Sequence, residues 1–315
     1  MPTSKGSGRG DSEETETRWQ AGHRRTLHAG HPETDAQLEK GISYLEALGF
    51  EVVLGRHVRA TTLGYCATPE EKAEDINAMF ADAAVDGIIC AQGGATANAC
   101  LPHLSWPTIR AHPKVFMGIS DITVLLNAIQ AKTCLVTFHG DDGMWGYGRN
   151  PTDYDREAFV RTLIDARPAT IEATGERQTI RGGSGEGVAL GGNLGCLLKL
   201  AGTPFFPETD GAILFFEALD VSSETCDYLF QQLEQMGIFE KISGAVVGHV
   251  DGLQGKVGVA QMEEVLRRVT ADYTFPILKV DDFGHNCPNT ILPIGARVRL
   301  DADWQTIEEV EPFLT

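Results

Sequence analysis

From Asp35 onward, apolar residues recur at helical spacing and then close up into short runs. Leu38, Ile42, Leu45 and Leu48 fall on one helical face, Gly49 ends that helix, and Phe50–Leu54 reads as a strand. Thr68-Pro69-Glu70-Glu71 is a helix start: Thr68 can cap, Pro69 suits the first turn and Glu71 completes a capping box. Ile76, Met79 and Phe80 give that helix an apolar face. The pattern then predicts a buried strand at 87–91, Gly93-Gly94 followed by a helix to Leu104, a strand at 115–117, a helix at about 121–131 and a strand at 134–138. Strands alternating with helices imply parallel α/β units with right-handed crossovers.

Gly146, Gly148, Pro151 and Pro168 interrupt this rhythm, so a boundary falls near 150–175, bridged by a helix over 153–166. Beyond it the pattern is less regular. Gly182–Gly187 reads as loop, Asn193–Leu200 as a short helix and Ala212–Phe216 as a strand delivering Glu217. Ser222 or Ser223 caps a helix running to Met236. A strand at 245–250, a helix at 259–271 and strands near 276–280 and 296–300 follow. A second, mixed α/β domain with more β character is expected. The division is 1–33 as a polar, poorly ordered tail, 34–150 as the first domain, 151–175 as a linker region and 176–315 as the second domain.

Composition narrows the function. A length of 315 residues suits one large or two medium domains. A net charge of -18 argues against nucleic acid and anionic membranes as partners. No apolar run approaches the roughly 18 residues that span a bilayer, and the N-terminus lacks the apolar core of a secretory signal. Seven scattered cysteines without a CxxC read as buried thiols in a reducing compartment, which makes the cytoplasm the expected location.

Ser120 stands where the apolar run Val115-Phe116-Met117 meets a helix, in Gly118-Ile119-Ser120-Asp121. A serine there is most often only an N-cap. On a tight strand-to-helix turn it can instead be a nucleophile, with the helix N-terminus supplying N–H groups to an oxyanion. Among nine histidines, His23, His28 and His31 belong to the tail stretch, and His57, His103 and His112 sit in polar surroundings. His139 could line a cleft, ligate a metal or satisfy a strand end, and the last is favoured. His285, in Phe283-Gly284-His285-Asn286-Cys287-Pro288, is free to point into a cleft. Glu217 closes an apolar strand, where a carboxylate is costly unless paired. The 182–187 stretch lacks the GxGxxG context and the GK[ST] of a phosphate loop, whereas Gly93-Gly94 could aim a backbone N–H at a reacting carbonyl.

Several long stretches, in order, carry a resemblance: "GGATANACLPHL", "VFMGISDITVLLNAIQAKTCLVTFHG", "WGYGRNPTDYD", "LGGNLGCLLKLAGTPFFP", "GAILFFEALD" and "FGHNCPNTILPIG". Together they resemble the serine LD-carboxypeptidase family, which includes muramoyl-tetrapeptide carboxypeptidases and microcin C7 immunity peptidases. The resemblance implies a Rossmann-like N-terminal domain, a β-richer C-terminal domain and a site in the cleft between them. It implies a triad of Ser120 as nucleophile, His285 as base and Glu217 as orienting carboxylate. Backbone N–H groups of Gly94 and Asp121 form the implied oxyanion hole, with no metal and no organic cofactor. Gln92, Trp145, Tyr147 and Asn193 are the candidate substrate contacts.

The implied activity is hydrolysis of an amide beside a terminal D-residue in cell-wall peptides. Cleavage of a peptidyl-nucleotide or acyl-sulfamoyl adenylate is the alternative, and an inactive binding protein on the same scaffold is a third reading that the intact motifs oppose. A small peptide or peptidyl-nucleotide is the expected partner, and a homodimer the expected assembly. Two departures stand out. Many family members carry Arg-Gly-Gly where this chain has Gln92-Gly93-Gly94, and the microcin branch is expected to stack a nucleobase on an aromatic, for which Trp145 and Tyr147 are the platforms. The family usually opens with an apolar strand. "TRWQAGHRRTLHAGHPETD" does not read as one, so the sheet is expected to lack its first strand or to hold a poor substitute.

Overall fold

The computed structural model describes residues 24–26, 35–64 and 66–313. Five parallel strands form most of the first sheet: β1 (Arg24–Thr26), β2 (Glu51–Val52), β3 (Val85–Ile89), β4 (Val115–Gly118) and β5 (Thr137–His139). Helices α1 (Asp35–Ala47), α2 (Pro69–Ala81), α3 (Trp106–Ala111) and α4 (Thr123–Thr133) provide the crossovers. The start of α2 is the one the sequence announces: Thr68 accepts from the Glu71 N–H and Glu71 reaches back to the Thr68 N–H. β4 is buried at every position, which is why it reads as an unbroken apolar run. The helix expected between Gly93-Gly94 and Leu104 is a 3₁₀ helix over Ala97–His103, with Pro102 inside it.

Most of the stretch expected to be a tail lies outside the described residues, His23, His28 and His31 with it. Arg24–Thr26 does form a strand, set between β3 and β2, three residues long and irregular in register between Arg24 and Arg25.

After α5 (Asp153–Phe159), which runs on as a π-helical turn to Ile164, the chain builds a second sheet. Its strands are β6 (Gln178–Arg181), β7 (Ser184–Asn193), β8 (Ile213–Leu219), β9 (Gly244–Asp251) and β10 (Ile277–Lys279). The chain then adds β11 (Leu292–Ile294), β12 (Arg297–Asp301) and β13 (Thr306–Glu309). The second sheet runs β13-β12-β7-β8-β9-β10-β6, parallel from β7 to β10 and antiparallel at both ends. Helices α6 (Leu194–Leu197), α7 (Ser223–Gln235) and α8 (Met262–Val269) complete the half. β11 departs from this sheet and pairs antiparallel with β5 at the edge of the first one. The fold is thus α/β, a parallel-containing sheet followed by a mixed, β-richer one.

The 182–187 stretch corrects an expectation. Only Gly182-Gly183 lies between strands; Ser184–Gly187 already belongs to β7 and pairs with β12. A Cβ on Gly185 would lie 2.1 Å from the Ser243 carbonyl oxygen, and one on Gly187 1.8 Å from that of Gly211. The glycines mark close backbone approach rather than a flexible connection.

The halves share a core through α4. One apolar cluster runs from Phe80 and Phe116 through Leu125 and Ile129 to Leu190, Phe215 and Phe230. Within it Asn127 of α4 donates to the Gly191 carbonyl at 2.8 Å and accepts from the Gly191 N–H at 3.0 Å. This pins the helix behind Ser120 to the strand beside Glu217.

Candidate active site

Ser120 begins a 3₁₀ turn, Ser120–Ile122, wedged between β4 and α4. Its φ is 63°, a left-handed conformation that a non-glycine residue holds only where its surroundings impose it. The surroundings are tight. A Cβ on Gly118 would meet Ile122 at 2.8 Å, and one on Gly93 would come within 2.6 Å of the Ser120 Cβ and 3.0 Å of its Oγ. The glycine loop therefore lies directly against the serine.

Asp121 is 2% exposed, and its side chain is spent on structure. Oδ2 accepts the Ala97 N–H at 2.7 Å, Oδ1 pairs with Lys199, and Lys199 also donates to the Ala95 carbonyl at 3.1 Å. These bonds shape the loop that carries Gly93-Gly94. Burial works against the Lys199 charge, yet Asp121 and Cys196 together more than offset it and the ammonium pKa is raised.

Glu217 sits in β8 opposite Asn193 of β7, with no exposed surface. Its Oε2 lies 2.6 Å from His285 Nδ1. Burial pushes the Glu217 carboxyl up, but His285 and His139 pull harder the other way and hold it at about 2. For His285, burial acts to lower the pKa, while Glu217, Asp142 and Asp251 reverse this and leave it raised. At neutral pH the pair is thus an ionised carboxylate against an imidazole of enhanced basicity.

The loop carrying His285 is tied down by Asn289. The Asn289 side chain accepts the Gly284 N–H at 2.8 Å and donates to the Gly284 and Cys287 carbonyls and to Asp141 Oδ1. Its own N–H is held by Asp155 at 2.6 Å. Asp141 and Asp142 are buried beside it. Burial pushes Asp142 up to about 6 despite three backbone N–H groups, and pushes Asp141 well above the carboxylate range, helped by Asp155 and Asp142.

Ser120, His285, Gly94 and Gln92 line one cleft of about 740 Å³, with Trp145 and Arg149 on the same wall. Gln92 Oε1 accepts the Trp145 indole N–H at 3.1 Å. The Arg149 guanidinium stacks 5.3 Å from the Trp145 ring centroid and donates to Asn286 Oδ1 at 2.9 Å. Trp145 is 45% exposed.

Two candidate contacts fall outside the cleft. Tyr147 is buried, stacked on Tyr44 and edge-on to Phe159, so it is core and offers no platform. Asn193 caps α6 through Cys196 and receives no part of the cleft surface. Its position before Leu-Gly-Cys-Leu is a capping signal. Sequence reasoning passed over Asn289, Lys199, Asp142 and Arg149, whose roles depend on partners far away in the chain. Among the described residues, no group of three His, Cys, Asp or Glu side chains could hold a metal ion, and no helix is long and apolar enough to cross a membrane.

An elbow serine, a carboxylate-bound histidine and a glycine loop around one interdomain cleft are features of a serine hydrolase. The comparisons agree. A model of the LD-carboxypeptidase N-terminal domain matches residues 28–140, and one of its C-terminal domain matches residues 186–300. The microcin C7 self-immunity protein MccF of Escherichia coli is 29% identical over 304 residues, covering 88% of each chain. The probable murein peptide carboxypeptidase of Bacillus subtilis (strain 168) is 31% identical over 282 residues, covering 87% of each. The structure of MccF in complex with glutamyl sulfamoyl guanosine superposes with a TM-score of 0.87 at 26% identity, covering 95% of this chain and 98% of that one. The chain belongs to the LD-carboxypeptidase family, peptidase S66, and is a serine-type carboxypeptidase.

Proposed function

We propose that Ser120, His285 and Glu217 are the catalytic triad, acting on an amide beside a free carboxylate. The observation that carries this is the 2.6 Å contact between the buried Glu217 and His285 Nδ1, on a histidine that shares a cleft with Ser120. With Nδ1 held by the carboxylate, Nε2 is the nitrogen left to take the Ser120 proton. Ser120 Oγ attacks the carbonyl carbon, and the N–H groups of Gly94 and Asp121 receive the oxyanion. His285 then gives its proton to the leaving amine. Water, deprotonated by the same imidazole, hydrolyses the acyl-enzyme and restores the serine.

The substrate class is a cell-wall-derived tetrapeptide, cut between an L-centre and a terminal D-alanine, in cytoplasmic recycling of peptidoglycan. The murein peptide carboxypeptidase among the relatives supports it. Gln92 stands where many family members carry an arginine. Arg149 is the Lys or Arg on the described wall of this cleft, so it is the group that meets the terminal carboxylate. The assembly is a homodimer, and the strong negative charge keeps nucleic acid away.

A second reading rests on Trp145. Its exposed indole at the cleft can stack a nucleobase, and MccF has been solved with a sulfamoyl guanosine ligand. Product analysis on murein tetrapeptide beside an aminoacyl-sulfamoyl adenylate separates the two. Release of D-alanine, lost in Ser120→Ala by many orders of magnitude, is the expected result. Cleavage of the adenylate alone would favour the second reading, and near-normal turnover by folded Ser120→Ala would remove the triad assignment.

A further inference from the structure

His139 ends β5, and the chemistry above does not use it. Its side chain is fully buried, yet neither ring nitrogen has a hydrogen-bond partner. An unpaired buried polar group carries an uncompensated desolvation cost that an apolar ring of similar shape would avoid. Close by is another buried atom without a partner, Oε1 of Glu217. His139 Nε2 lies 3.9 Å from it, while Oε2 of the same carboxylate meets His285 at 2.6 Å. Two imidazoles flank one buried carboxylate, one on each oxygen.

The surroundings are cut to hold this ring. A Cβ on Gly192, whose φ is 120°, would lie 2.8 Å from the His139 Cδ2 and 2.7 Å from Thr123 Oγ1. Phe283, two residues before His285, meets the His139 ring edge-on, with centroids 6.0 Å apart and planes at 90°. The imidazole is therefore gripped by β7 on one side and by the His285 loop on the other.

We propose that His139 is a positioning residue of the triad: its Nε2–H donates to Glu217 Oε1, turning Oε2 toward His285 and sharing the carboxylate's negative charge. An approach about 1 Å closer than in this structure makes the bond. The inference rests on the reading of Glu217 and His285 as the catalytic pair. Gly192 packs on the His139 ring, and Gly118 and Leu292 are its paired strand residues; none of them carries a titratable group. Besides Glu217, the charges acting on His285 come from Asp142, after β5, and Asp251, at the end of β9.

His139→Phe keeps the ring bulk and removes both nitrogens, while His139→Gln keeps a donor. Without a donor on Oε1, the full charge of Glu217 falls on His285, which then holds its proton more tightly. The acid limb of kcat/KM should move up by about one pH unit in His139→Phe, with KM on the plateau within about twofold, and return in His139→Gln. The same shift should appear when His285 is titrated by ¹⁵N-histidine NMR in a Ser120→Ala background, a readout that needs no substrate. An unchanged His285 titration in both His139 variants would overturn the proposal. If His139→Phe does not fold, the tautomer of His139 in Ser120→Ala decides: a hydrogen-bonded Nε2–H supports the proposal, and a proton on Nδ1 alone sinks it. Should Ser120→Ala keep its activity, the triad assignment fails instead, and the NMR arm still reports on the His139–Glu217 contact.

Discussion

Lys199→Met tests how the Gly93-Gly94 loop, the proposed oxyanion site, is held. Lys199 comes from the second half of the chain, yet its ammonium pairs with Asp121 and reaches the Ala95 carbonyl at 3.1 Å. Methionine keeps the apolar stem and removes the donors. Asp121, 2% exposed, is then left with the Ala97 N–H at 2.7 Å as its remaining side-chain bond among those described. Removing one partner of a buried pair costs about 3–5 kcal/mol. The Lys199 side chain is 28% exposed, so water relieves part of this and about 2–3 kcal/mol is expected here. At roughly 2 °C per kcal/mol for a chain of this size, Tm should fall by about 4–6 °C in calorimetry. Adding Asp121→Asn removes the stranded charge and should recover a substantial part of the loss. Turnover should fall about 10–100-fold, less than the roughly 100–1,000-fold loss of a whole oxyanion donor, with a smaller effect on KM. A Lys199→Met protein that melts within about 1 °C of the parent and turns over at the same rate would refute the reasoning.

The raised His285 pKa sets the pH dependence: the imidazole is a base only when neutral, so kcat/KM should rise as pH passes upward through a value above that of an ordinary histidine. Glu217→Gln removes the charge that raises it, so steady-state profiles should show the acid limb at lower pH and a reduced plateau, though a smaller loss than Ser120→Ala gives. Arg149→Met should raise KM about tenfold on substrates with a free terminal carboxylate and leave their amides unchanged; equal effects on both would remove Arg149 as the carboxylate reader. Gln92→Arg should improve kcat/KM on the free acids roughly tenfold or more, since a charge-assisted contact contributes about 1.5–3 kcal/mol; no gain would place recognition elsewhere.

Local signals carried much of this structure. The Thr68 capping box, the continuous burial of Val115–Gly118 and the Ser222 cap of α7 each depend on neighbours a few positions away, and each could be read from the chain. Ser120, Glu217 and His285 also stood out by position, on a strand-to-helix turn, at the end of an apolar strand and beside a loop glycine; the structure brings Glu217 and His285 into contact and sets Ser120 and His285 on one cleft. Long-range facts were hidden. Gly185 and Gly187 looked like loop because the carbonyls crowding them come from Ser243 and Gly211. Tyr147 looked like a platform because its stacking partner, Tyr44, lies about a hundred residues earlier. Leu292-Pro293-Ile294 is too short and too broken by proline to announce a strand, and only β5 makes it one.

That strand ties the timing of folding to the end of the chain. Leu292–Ile294 closes the edge of the sheet that carries Ser120, by pairing with Thr137–His139. On a ribosome adding about 5–20 residues per second, the 155 positions separating His139 from Ile294 take roughly 8–30 s to appear. Throughout that interval β5 presents an open edge, able to pair with another nascent chain. The N-terminal half is therefore a poor candidate for expression by itself, and a break or stall in synthesis before residue 292 leaves a sticky fragment rather than a smaller working domain.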